Sequence, residues 1–295
     1  MFASLKNDLY RFIKFKLGYV LILIFVALQV FVCVNNLPIG GANKFSVEYE
    51  DAIYCCSDMI PILSAVLTVL LILLFDFVTN KKGTIGNRIA TGTSRLMFLV
   101  NKFLFALIVN MGFVLIGTIV LAIAMIISRC SPIVGNYVLG EFLLSIVIYA
   151  ILVPSLVVLV LGIKYNLGPI VAVLLEFTAL FISYEVDSNI QMSLHETKYY
   201  GIETLEEENM AGSSKELNPM FIGGNKRKLY VAIRELCLTT SLNSNRHAYI
   251  TKTDAKNKYP VDRFDYFQTA DKQINSAVFW IIVSNSVSLF LYKKM

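Results

Sequence analysis

Three groups of residues in this chain have types and spacings that could do chemistry. The first is a basic, glycine-punctuated run from Asp76 to Arg95, containing Gly83, Thr84, Ile85, Asn87, Arg88 and Ile89. Gly83, Gly86 and Gly92 permit tight turns or close backbone approach. Ile85, Ile89 and Leu96 offer a small apolar face, and Lys81, Lys82, Arg88 and Arg95 surround it with positive charge. A short helix over 84–90 would present that face to a protein partner. The second group is acidic: Glu176 lies within an apolar run and Asp76 closes another. An ionisable residue at membrane depth is a functional candidate by default, because burying its charge is expensive. Glu141 stands at the end of its run and can simply reach the interface. The third group pairs His195 and His247 with Glu203, Glu206, Glu207 and Glu208. No metal-ligand spacing links them, so a solvated acidic helix face is the favoured reading and no metal site is expected.

Several activities lack their residues. There is no G-x-x-x-x-G-K-[ST] phosphate loop, and Gly223-Gly224 followed by Lys226 and Arg227 is too short to replace it. Hydrolysis within the membrane needs an acid–base pair, an activated nucleophile or a metal constellation. One mid-run Glu without histidine supplies none of these. Basic residues are not clustered with interleaved aromatics, so no nucleic-acid partner is expected. The chain is read as a non-enzyme with no cofactor of its own.

The elements that position these residues are membrane spans. Of 295 residues, 56% are hydrophobic and only 16% are charged, well below the roughly 25% charged of a soluble domain. Six apolar runs, about 17–35, 59–78, 103–127, 138–161, 169–186 and 274–292, approach the roughly 20 residues a span needs. The first is too long for the apolar core of a cleavable leader. Twelve Lys and Arg residues flank the spans on one face, Lys102 and Lys164 among them, and the short segments of the other face hold Lys44 and Arg129. The positive-inside rule therefore places both termini and the 78–102 segment in the cytoplasm. The expected fold is an all-α membrane protein of six transmembrane helices.

Residues 1–16 read as an amphipathic elbow helix with Phe2, Leu5, Leu9, Phe12 and Ile13 on one stripe. Residues 36–58 read as an outer loop with Pro61 in the first turn of span two. Pro154 is expected to kink span four, and 162–168 to form a tight inner turn. Gly112, Gly117, Ala122 and Ala124 suit close packing of span three. Residues 187–273 make a small extracellular domain, in which 226–240 looks helical with Leu229, Ile233, Leu236 and Cys237 on one face. Span six and a short tail occupy 274–295. Cysteines 33, 55, 56, 130 and 237 all map to the outer half. An oxidising compartment would permit disulfides among Cys55, Cys56, Cys130 and Cys237, whereas a reducing one would leave thiols.

The pattern Asp76-Phe77, Gly83-Thr84-Ile85, Asn87, Arg88, Gly92, Ser94-Arg95 and Lys102 resembles that between spans two and three of ABC-2 family transporter permeases. The layout of elbow, six spans and an outer excursion before the last span is similar too, although 87 residues are long for that excursion. The resemblance implies a permease of a bacterial cell membrane that pairs with a second copy or paralogue and docks two cytoplasmic ABC ATPase subunits, which bind the ATP and Mg. Residues 84–90 would then be the coupling helix, with Arg88 and Arg95 contacting the ATPase or Asp76. Arg95 and Lys102 also fit ordinary positive-inside anchors. Spans one, two and five would line a path for a hydrophobic or amphipathic solute, with a peptide or antimicrobial the leading expectation and Glu176 a candidate on the path. The alternative is a non-transporting sensor or scaffold whose extracellular domain binds a peptide.

Overall fold

A computed structural model describes residues 2–37, 46–79, 94–128, 136–199, 216–242 and 270–294. Among them the chain forms nine helices and no strand: α1 (Phe2–Ile13), α2 (Lys16–Asn36), α3 (Ser46–Thr79), α4 (Arg95–Ile127), α5 (Asn136–Leu167), α6 (Pro169–His195), α7 (Gly224–Leu236), α8 (Leu238–Leu242) and α9 (Ala270–Lys294). Six of them, α2, α3, α4, α5, α6 and α9, are long and apolar enough to cross a membrane. The chain divides into two compact units, 1–176 with 281–295, and 177–280.

Several boundaries differ from the sequence reading. Helix α3 begins at Ser46, so Pro61 lies well inside it rather than in its first turn. Pro61 cannot donate to the preceding turn, and its own carbonyl accepts the hydroxyl of Ser64 at 2.8 Å. Helix α6 continues through the expected boundary at 186 as far as His195. The inner turn shrinks to Gly168, whose φ of +101° suits glycine, and α5 therefore includes Lys164. Helix α4 starts at Arg95, so Lys102 lies two turns within it. Ser94 caps α4 by accepting the Met97 N–H at 3.1 Å.

The first unit is packed on rings and small residues. Phe12 of α1 meets Phe75 of α3 edge-on at 5.7 Å and Phe105 of α4 at 5.4 Å. Phe15 adds a contact to Phe75, and Phe25 packs on Phe113. Gly117 of α4 lets α2 and α3 approach closely, since a Cβ there would lie 2.8 Å from Ile60 and 3.0 Å from Phe25. A polar seam crosses this interior. The Asn110 amide donates to the Tyr149 carbonyl at 3.3 Å, and the Thr68 hydroxyl donates to Asn110 at 3.4 Å. Asn285 of α9 likewise donates to Ser155 of α5 at 2.9 Å. Such bonds satisfy polar groups that apolar surroundings would otherwise penalise.

The second unit contains α7, α8 and parts of α6 and α9. Its α7 does not follow the expected apolar face. Leu229 and Leu236 are exposed, and the buried residues are Arg227 and Arg234. The two guanidiniums turn inward because acceptors await them. Arg227 donates to the carbonyls of Leu194 and Ile222, and Arg234 reaches Asp187.

Candidate functional site

The charged residues of the first unit converge where its helices end. Asp76 lies in the last turn of α3 and is fully buried. Lys102 of α4 donates to its Oδ1 at 3.0 Å, and Lys164, in the last turn of α5, donates to its Oδ2 at 2.7 Å. Lys102 also faces Asp8 of α1, with Nζ 3.6 Å from Oδ2. The residues are nearly inaccessible, Lys102 at 1% and Asp8 at 3% exposure. Two carboxylates and two ammoniums thus form a neutral node joining α1, α3, α4 and α5.

Helix geometry explains the meeting. Asp76 and Lys164 both stand three residues from a helix end, and Lys102 seven residues from a start. At 1.5 Å per residue these positions lie within roughly 5–10 Å of the helix termini. Rings close the site: the Lys102 ammonium lies 5.6 Å from the Phe98 ring centre, and Phe98 packs on Tyr165 and Tyr292 at 6.0 Å each. Asn101, beside Lys102, is buried, and neither of its amide atoms has a hydrogen-bond partner among the described residues.

This arrangement ties helices together, since both carboxylates are engaged by ammoniums. Burying four charges is costly, and the mutual pairing offsets that cost. Removing Asp76, which both ammoniums share, strands positive charge.

The residues expected to form a coupling surface fare differently. Gly83, Thr84, Ile85, Asn87, Arg88 and Ile89 lie outside the described residues. Arg95 is exposed, and its guanidinium donates to the Lys293 carbonyl at the end of α9. That contact places a cation at a helix C-terminus, where carbonyls are in excess. Glu176 is half-buried in α6 and makes no hydrogen bond or ion pair among the described residues. Asp76 is the one acid that the sequence and the site share.

A second buried node occupies the other unit. Arg234 Nε donates to Asp187 Oδ1 at 3.1 Å, and the Thr239 hydroxyl lies 3.3 Å from Asp187 Oδ2. Ser183 accepts the Thr239 N–H at 3.1 Å, and Thr240 donates to the Arg234 carbonyl at 2.5 Å. Cys237 is a free thiol donating to the Ile233 carbonyl at 3.4 Å. Burial pushes this thiol up to about 11, and the charge of Asp187 acts in the same direction. Cys130 and the Cys55 side chain lie outside the described residues, and Cys56 is buried against α2.

Sequence reasoning missed Asp8, Lys102 and Lys164 as partners and Asp187 and Arg234 altogether. Asp76 held the available signal: an acid at the end of an apolar run requires nearby cations, and these lysines stand at matching depths on neighbouring helices.

The fold and site define an all-helical chain with six helices suited to crossing a membrane, as in a multi-pass membrane protein. No family model, curated protein or solved structure matches it.

Proposed function

We propose that this chain is the permease subunit of an ATP-driven ABC-2-type transporter that exports a hydrophobic or amphipathic solute, a peptide or antimicrobial above others. The observation that carries the reading is the buried Asp8–Lys102–Asp76–Lys164 node. Asp76 and Lys102 flank the 80–93 segment on either side in the chain, and Asp8 sits on the N-terminal helix. A push on that segment would be passed to α1, α3, α4 and α5 together, as a coupling element requires. The Arg95 contact with the end of α9 extends the same linkage to the last helix.

In this reading α1 is the elbow, both termini are cytoplasmic, and two copies or a paralogous pair dock two ATPase subunits that bind ATP and Mg. Unpaired Glu176 on α6 lines the path or faces a polar group of the second permease. It would meet solute or a partner chain, since an acid at that depth needs compensation.

The test is extraction of the chain in mild detergent with identification of what remains bound. A stoichiometric protein with phosphate-loop motifs and ATPase activity supports the permease. Recovery with a kinase instead would favour a sensor whose outer segment binds a peptide. Replacing Gly83-Thr84-Ile85 with three alanines should detach or uncouple the ATPase while the spans stay folded. Full ATPase retention with undiminished export in that variant would remove 84–90 from the coupling role.

A further inference from the structure

The α2–α3 contact contains a pair of thiols that the transport reading leaves unused. Cys33 occupies the last turn of α2, and Cys56 lies in α3. Both belong to one buried cluster with Ile60, Val114 and Leu121, at 1% and 0% exposure. Gln29 stands one turn before Cys33 on the same helix. The backbones are drawn together at the same point. Gln29 Nε2 donates to the Cys56 carbonyl at 2.9 Å, and Cys56 Sγ points to the Val32 carbonyl at 3.9 Å. Gln29 is itself fully buried, and its Oε1 has no hydrogen-bond partner.

We propose that Cys33 and Cys56 form a reversible disulfide that staples α2 to α3. Disulfides need side chains that already approach one another, and here two cysteines from different helices share one buried cluster, with Cys56 Sγ directed at the carbonyl next to Cys33. Cys33, one turn from the buried Gln29 amide, is taken as the attacking sulfur. Its thiolate attacks one sulfur of a low-molecular-weight disulfide, forming a mixed disulfide and releasing one thiolate. Cys56 then gives up its proton and attacks Cys33 Sγ, releasing the second thiolate. Two protein thiols are oxidised and one external disulfide is reduced to two thiols, which carry the two protons away. The staple would fix α2 against α3, so that the two helices move together.

The experiment uses the full chain in its membrane, in a background where Cys55, Cys130 and Cys237 are serine. Diamide, which accepts two electrons and two protons from a thiol pair, serves as the oxidant. Thiols are then counted after denaturation by gel shift with a polymer-linked maleimide. The expected result is loss of both tags after diamide and their return after dithiothreitol, with one tag retained in each of Cys33→Ser and Cys56→Ser. Retention of both tags after diamide overturns the proposal, as does tag loss accompanied by a covalent dimer on a non-reducing gel. Should the serine background fail to fold, peptide mapping of the diamide-treated native chain decides. A Cys33–Cys56 linked peptide supports the staple, and Cys33 recovered only as thiol, or joined to another cysteine, overturns it.

Discussion

Lys164 Nζ lies 2.7 Å from Asp76 Oδ2, so that residues 88 positions apart close the ends of α5 and α3 onto each other. Asp76 is the shared member of the node, because Lys102 occupies its other oxygen. Loss of Asp76 should therefore cost more than loss of either lysine. Asp76→Asn leaves Lys164 without a carboxylate among the described residues and Lys102 with Asp8, a stranding worth about 3–5 kcal/mol. Lys164→Met keeps Asp76 paired with Lys102 and should cost less. Thermal unfolding of the detergent-extracted chain, followed by tryptophan emission or aggregation, ranks the variants. Equal midpoints for Asp76→Asn and Lys164→Met would show that Asp76 is not the hub.

Asp8 ties the N-terminal helix to the node through Lys102, and Phe12 adds ring contacts to Phe75 and Phe105. Asp8→Asn leaves Lys102 with Asp76, so the spans should stay folded. The expected change is local: faster protease nicking in the 14–16 stretch between α1 and α2. Phe12→Ala should act the same way by removing a buried ring, and the two together should release α1 most. Unchanged nicking in the double variant would mean that α1 is held by something else.

Much of this was readable from sequence, for identifiable physical reasons. Long apolar runs have few alternatives to spanning helices, so the helix at 16–36 and the 103–127 part of α4 were legible from length alone. The ends were less so. Ser46 to Asp58 is polar enough to read as a loop, yet α3 runs through it. Lys102 and Lys164 were legible as topology markers but not as partners, since positive-inside counting assigns a lysine to a face without asking what it touches. On α7 the apolar spacing of Leu229, Ile233 and Leu236 pointed to the wrong side. Two arginines with waiting acceptors outweigh it, because an inward guanidinium that finds protein acceptors replaces part of its water shell.

Packing at Gly117 gives a contrast within one helix. A methyl group there would come within 2.8 Å of Ile60 and 3.0 Å of Phe25, whereas at Gly112 it would meet nothing within 4 Å. Gly117→Ala should destabilise by about 1–3 kcal/mol through overpacking. Gly112→Ala should be neutral or slightly stabilising, since alanine is the better helix former. Ile60→Val, which trims the residue in the way, should recover part of the Gly117→Ala loss. Thermal midpoints of the four chains test this, and an additive double variant would show that Ile60 is not the obstruction.

The Cys237 thiol carries a pH signature. Its folded value of about 11 stands above the ordinary 9.0 because burial and the nearby Asp187 charge both oppose the thiolate. A raised acid of this kind contributes stability that is fully present below pH 9, and loses it as pH rises from 9 to 11. In a background retaining only Cys237, alkylation of the unfolded chain should level off above pH 9. Alkylation of the native chain should rise about tenfold per pH unit up to roughly pH 10 and keep rising more gently past it, because the thiolate fraction is still climbing. The slope separates this from simple burial, which would slow both arms without moving the plateau. Asp187→Asn, by removing the repelling charge, should bring the native plateau to lower pH. A native plateau near 9 would show that the environment of Cys237 does not raise its thiol.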